Sequence, residues 1–176
     1  MKIKLVFGGF SLHVCSVYAP QVSLDEKAKE NFWEDLDEVV RSLPSSEKIV
    51  IVGDFNGHIR VLLGVYNNVH GGYCYGDRNC EGAAMLDFAR AFGLVVVNLS
   101  FLKKEDHLIT FQSAIAKTLI DFLLLRKGDR GLCKDSKVIS SDHLSTLYRL
   151  LLMDLSIKKC KTRRVWECHP RIKWGA

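Results

Sequence analysis

Short apolar segments, most of them punctuated by Gly, Pro, Asp or a basic residue, recur along the chain, and this punctuation limits what it can fold into. Runs of that length read as buried strands. The segments are Ile3–Phe7, Leu12–Tyr18, Ile49–Val52, Leu94–Asn98, Leu119–Leu125, Lys137–Ile139 and Tyr148–Leu155. No apolar stretch approaches the roughly 18 residues of a membrane span, so no membrane association is expected. Two stretches between the strands carry a helical period instead. Ser23-x-x-Glu26 has the spacing of a capping box, after which Phe32, Leu36, Val39, Val40 and Leu43 share one face until Pro44. The second helix is expected from about Glu81 to Phe92, with Met85, Phe88, Ala89 and Phe92 on one side and Gly93 to end it. Strands predominate and helices separate some of them, which predicts an α/β or α+β layered domain rather than a bundle.

Composition refines this picture. A chain of 176 residues with 48% hydrophobic and 26% charged side chains can bury the core of one domain. Its charge is uneven. Residues 156–176 carry Lys158, Lys159, Lys161, Arg163, Arg164, Arg171 and Lys173 against the single acid Glu167, a net +6, while the whole chain is only +5. The expected organisation is therefore a near-neutral domain over residues 1–155 followed by a basic tail or linker over 156–176. The amino-terminal stretch, broken by Gly8 and Gly9, is too short for a secretory core. An intracellular location, nuclear or cytoplasmic, and free thiols for the six cysteines are expected. The spacing of Cys160, Cys168 and His169 lacks a zinc knuckle.

Several polar residues sit where strands end. Asp54 and Asn56 follow the strand Ile49–Val52, and their two-residue spacing lets both side chains converge on one point. A carboxylate with a carboxamide suits a hard cation, a water or a phosphate oxygen, although an ordinary turn would also account for the tetrapeptide. Asp121 lies inside the apolar run Leu119–Leu125, where a carboxylate needs a partner or an outlet to solvent. It would either face solvent from a half-buried strand or orient a histidine. Asp142 and His143 lie between two predicted strands, and Tyr18 ends another. Residues 53–79 form a long Gly-rich stretch without helical period, a length of loop that usually carries function.

Taken in order, Tyr18-Ala19-Pro20, Gly53-Asp54-Phe55-Asn56, Thr110-Phe111, Ile120-Asp121-Phe122 and Ser141-Asp142-His143 resemble the endonuclease/exonuclease/phosphatase family of deoxyribonuclease-like phosphodiesterases. The resemblance spans about Leu12 to Leu155. Within that family it is nearest to the endonuclease domains of LINE-type retrotransposons and the related craniofacial development protein 2-like sequences. It implies a layered β-sandwich flanked by helices and a nucleic-acid substrate, DNA in the first instance. It implies that Tyr18 contacts the scissile phosphate, Asp54 orients or deprotonates the attacking water, and Asn56 binds a phosphate or transition-state oxygen. It further implies that Asp121 holds His143, that His143 binds a phosphate oxygen, and that Asp142 binds Mg2+ or Mn2+.

The same resemblance implies an Asn and a metal-binding Glu ahead of the Tyr-x-Pro strand, yet Met1–Leu24 holds no carboxylate and Asn31 is the first Asn. The expectation is accordingly an N-terminally truncated endonuclease domain with impaired metal binding and low or no activity. Sheet surface left uncovered would favour self-association. The alternative is a non-catalytic nucleic-acid-binding module in which Lys158, Lys159, Lys161, Arg163 and Arg164 grip phosphates while Trp166 and Trp174 stack on bases. A solvated linker would have the same composition.

Overall fold

The computed structural model describes residues 1–7, 9–59, 66, 69, 79–139 and 147–157. Two strands, β1 (Lys2–Phe7) and β2 (Phe10–Tyr18), pair antiparallel. Helix α1 (Glu26–Arg41) then carries the chain back to β3 (Lys48–Asp54), which pairs parallel to β2. Helix α2 (Cys80–Ala91), β4 (Leu94–Val96) and the small hairpin β5 (Phe111–Gln112) with β6 (Lys117–Thr118) follow. The chain continues through β7 (Asp121–Arg126), a 3₁₀ segment (Lys127–Leu132), β8 (Cys133–Ile139) and β9 (Leu150–Leu155).

Among the described residues the main sheet has five strands, in the order β1-β2-β3-β7-β4. Because successive side chains alternate faces, each apolar strand feeds two cores. Cys15, Ile49, Ile51, Phe122 and Leu124 pack with Leu36 and Val40 of α1 and Met85 and Leu86 of α2. On the opposite face Leu12, Val50, Leu123 and Leu125 are covered by Leu151, Met153 and Leu155 of the β8–β9 hairpin. Helices, central sheet and hairpin thus make three layers, the mixed α/β architecture that the apolar punctuation predicts. Strand β1 forms the outer edge and leaves Ile3, Val6 and Phe7 exposed.

Several boundaries differ from the expectation for local physical reasons. The cap of α1 is Asp25, whose Oδ1 accepts from the Ala28 N–H at 2.7 Å, and not Ser23. The segment expected to run as a strand to Asn98 ends at Val96, where a 3₁₀ turn (Val97–Leu99) begins and the Asn98 side chain takes over the pairing. The last strand begins at Leu150 rather than Tyr148, which makes an isolated bridge with Phe111. Cys15 and Cys133 are buried free thiols and Cys80 is an exposed one. Among the described residues no helix is long and apolar enough to cross a membrane.

Candidate active site

Strand register brings Tyr18, Asp54 and Asp121 into one row. Tyr18 is paired with Asp54 across β2 and β3, and Asp54 with Asp121 across β3 and β7. Paired residues point to one face and neighbouring strands lie about 4.8 Å apart, so two carboxylates and a phenol stand side by side. They extend the row that begins with Val50, Val52 and Leu123, on the face covered lower down by the β8–β9 hairpin.

Gly53 makes this possible. Its φ of +156° disfavours other residues, and a Cβ there would lie 1.8 Å from the Val17 carbonyl oxygen. Immediately after the strand the chain reverses through Asn56, at φ +49° in the left-handed region that Asn tolerates. The Asn56 N–H donates to Asp54 Oδ1 at 2.8 Å, and its Nδ2 donates to the Ala19 carbonyl at 2.8 Å. Asn79, the cap of α2, donates to the Asn56 carbonyl at 3.1 Å and accepts from the His58 and Gly82 N–H groups. The turn is therefore held from β2 on one side and from α2 on the other. The carboxamide stays beside the carboxylate.

Asp54 is 6% exposed, and its Oδ2 is buried without a hydrogen-bond partner among the described residues. Burial pushes its carboxyl above the ordinary range, the Asn56 N–H opposes that shift, and the Asp121 charge adds to it. Asp121 is likewise pushed up by burial, against the Thr110 hydroxyl. The fully buried Thr110 Oγ1 accepts from the Ile120 and Asp121 N–H groups, both at 3.2 Å. Two adjacent carboxylates with raised affinity for protons can accept one from a bound water or share a cation.

Tyr18, Asp54, Asn56 and Asp121 therefore lie together, whereas Asp142 and His143 lie outside the described residues, as do Lys158, Lys159, Lys161, Arg163 and Arg164. Two neighbours escaped the sequence reading. Asn98, 3% exposed, donates to the Asp121 carbonyl and accepts from the Leu123 N–H, both at 3.1 Å, and so fixes the backbone under Asp121. Its signal was a polar residue closing an apolar run. Tyr148 is set against Phe111, ring centroids 5.2 Å apart. Burial and then the charges of Asp54, Tyr18 and Asp121 push its phenol above the usual value, which puts it within electrostatic reach of all three. Nothing local in the sequence marks it.

A family model described as endonuclease-reverse transcriptase matches residues 12–147. The chain belongs to that family. Its members are generally dependent on divalent metals. Among curated proteins the chain is 26% identical over 160 residues to craniofacial development protein 2 of Tragulus javanicus, covering 89% of this chain and 28% of that one. It is 25% identical over 151 residues to the Bos taurus protein of the same name, covering 85% and 25%. The chain thus spans about a quarter of the length of these relatives. Among solved structures, the endonuclease domain of TRAS1, a telomere-specific non-LTR retrotransposon, superposes with a TM-score of 0.64 at 14% identity, covering 88% of this chain and 60% of that one. The 3′ phosphatase NExo from Neisseria, bound to product DNA hairpin, gives 0.60 at 17% identity, with 89% and 65% covered. At those identities the structural likeness establishes a shared endonuclease/exonuclease/phosphatase fold.

Proposed function

We propose that the row formed by Tyr18, Asp54 and Asp121 is a phosphodiester-hydrolysing site for nucleic acid, DNA in the first instance, of the endonuclease type. The observation that carries this reading is the cross-strand register of the three residues, with Asn56 folded back onto Asp54. Asp54 offers one oxygen fixed by a backbone N–H and a second with no partner among the described residues, the arrangement of a base waiting for a water. Asn56 keeps one amide hydrogen for a phosphate oxygen after donating the other to Ala19. Tyr18, 61% exposed, presents its phenol to a polymer lying across the strand ends. Asp121 is the residue to steady the imidazole of His143, which would then donate to a phosphate oxygen.

The donors also fit a divalent cation, because the Asp54 oxygen that has no partner among the described residues and the neighbouring Asp121 are hard oxygen ligands and Mg2+ is commonly held by one or two carboxylates plus substrate phosphates. Asp142 would add a third carboxylate. When bound, the cation would neutralise charge developing on the phosphate. Strands β1 and β2 supply no carboxylate, and among the described residues no three metal-binding groups cluster. The test is nicking of supercoiled plasmid by excess protein with Mg2+ or chelator, beside His143→Ala. Cation-dependent nicking that falls in the variant supports the reading; nicking that ignores both chelator and variant refutes it.

A further inference from the structure

A groove of about 980 Å³ runs between α1 and α2 on the face away from the β8–β9 hairpin. Its floor is aromatic. Trp33 and Phe88 lie 5.3 Å apart by ring centroid, and Phe88 and Phe92 4.8 Å apart. Its rim is acidic, with Glu34, Asp37 and Glu38 from α1 and Asp87 from α2. Asp37 is paired with Arg41, and Asp87 accepts from the Tyr66 hydroxyl at 2.9 Å and lies 3.6 Å from the Arg90 guanidinium. Among the described residues neither Glu34 nor Glu38 has a side-chain partner, so the rim keeps uncompensated negative charge along an apolar floor.

We infer that this groove is the docking site of the chain's own basic tail, residues 158–176. Three observations select that occupant. The first is charge, since the tail brings seven cations and one acid to a rim of carboxylates, together with Trp166 and Trp174 for the aromatic floor. The second is where the described chain ends. The Ser156 N–H donates to the Leu132 carbonyl at 2.8 Å, at one end of the 3₁₀ segment Lys127–Leu132. At the other end of that segment, roughly 12 Å away at about 2 Å per residue, the Lys127 N–H donates to the Gly93 carbonyl at 2.8 Å. Gly93 directly follows Phe92, which lines the groove beneath Arg41, 5.1 Å from the ring centroid. The tail therefore leaves the domain close to the lower mouth of the groove.

The third observation is length. Nineteen residues reach roughly 60 Å when extended, whereas α2, at 12 residues, spans about 18 Å. The tail can cross the gap and still lie along the whole groove. Docked there, its cations are engaged by the groove carboxylates, so groove and nucleic acid compete for the same cations. This inference stands apart from the hydrolytic reading, because neither groove nor tail supplies a reacting group.

Zero-length carbodiimide cross-linking of the full chain, read by mass spectrometry on an equimolar mixture of ¹⁴N- and ¹⁵N-labelled protein, tests it. Expected are cross-links from Lys158, Lys159, Lys161 or Lys173 to Glu34, Glu38 or Asp87, within a single isotope and at least fivefold above those to the exposed Glu105 and Asp106. They should fall to that background in a Glu34→Gln/Glu38→Gln variant. Yields spread evenly over exposed carboxylates in the wild-type protein would overturn docking, whatever the variant does. Mixed-isotope products in equal amount would overturn the intramolecular form and assign the groove to the tail of a second copy. Groove cross-links that persist undiminished when a DNA duplex saturates the tail would overturn the competition.

Discussion

Replacing Asp54 by Asn should make the protein more stable and less active, and the size of the gain can be reasoned from its surroundings. The carboxylate is 6% exposed, one of its oxygens has no partner among the described residues, and Asp121 stands beside it. A buried polar group left unsatisfied costs about 1–3 kcal/mol, more when charged. An Asn in the same rotamer keeps the oxygen that accepts from the Asn56 N–H and offers an N–H to Asp121, so most of that cost is relieved. For a chain of this size each kcal/mol moves the melting temperature by about 2–4 °C. The variant should therefore melt about 2–10 °C above wild type at pH 7 in chelator. The pH dependence follows from the raised carboxyl. A group whose folded pKa exceeds its unfolded value contributes stability below the unfolded value, and that contribution is lost as pH rises through the folded one. The gap should thus be widest at neutral pH and should close toward the ordinary carboxylate value of 3.8, where the wild-type carboxyl is protonated. Mg2+ should narrow it as well, since the variant loses one of the carboxylates that would hold the cation. A variant that melts below wild type at pH 7, or a gap unchanged between pH 7 and pH 4, would refute the reasoning.

Gly53→Ala should do the reverse and destabilise by on the order of 2–4 kcal/mol in urea titration, because its Cβ meets the Val17 carbonyl oxygen and its φ is positive. Glu47 accepts from Lys4 at 2.6 Å and is in contact with His13 at 2.5 Å, and these two partners hold its carboxyl below the usual range. Its contribution to stability is present above the ordinary carboxylate value of 4.5 and should be lost as pH falls through the lowered one, so Glu47→Gln should flatten that acid limb of a melting-temperature profile. The exposed edge of β1 should support self-association, and Val6→Lys should shift sedimentation toward monomer; an unchanged distribution would exclude that edge as the contact.

The layered architecture was legible because apolar runs alternate between faces in period two and the helices in period 3.6. Leu36 and Val40 turned inward as their spacing requires, as did Met85, Phe88 and Ala89. The row of Tyr18, Asp54 and Asp121 was only half legible. Sequence placed Tyr18 and Asp54 at strand ends and Asp121 inside an apolar run, but not the start of β7 at Asp121 or the order that inserts β7 between β3 and β4 and thereby sets Asp121 against Asp54. The hairpin of β5 and β6 was invisible, since two-residue strands leave no period to detect. Asn98 and Tyr148 were missed for another reason: each acts across a tertiary contact, to β7 and to Phe111 respectively, that no local pattern encodes. At the amino end of α1 the capping-box spacing pointed to Ser23, but Asp25, two residues on, is the residue whose carboxylate reaches the Ala28 N–H and caps the helix.

The most direct test of the hydrolytic reading is single-turnover cleavage of an end-labelled DNA duplex in H₂¹⁸O with protein in excess and Mg2+ present. Wild type should cut slowly and place ¹⁸O in the product phosphate. Asp54→Asn, though folded and more thermostable, should be at least about 100-fold slower, the low end of what a positioned base contributes. Equal rates for the two proteins, or wild-type cleavage without incorporation of the label, would contradict an Asp54-assisted attack of water at the ends of β2, β3 and β7.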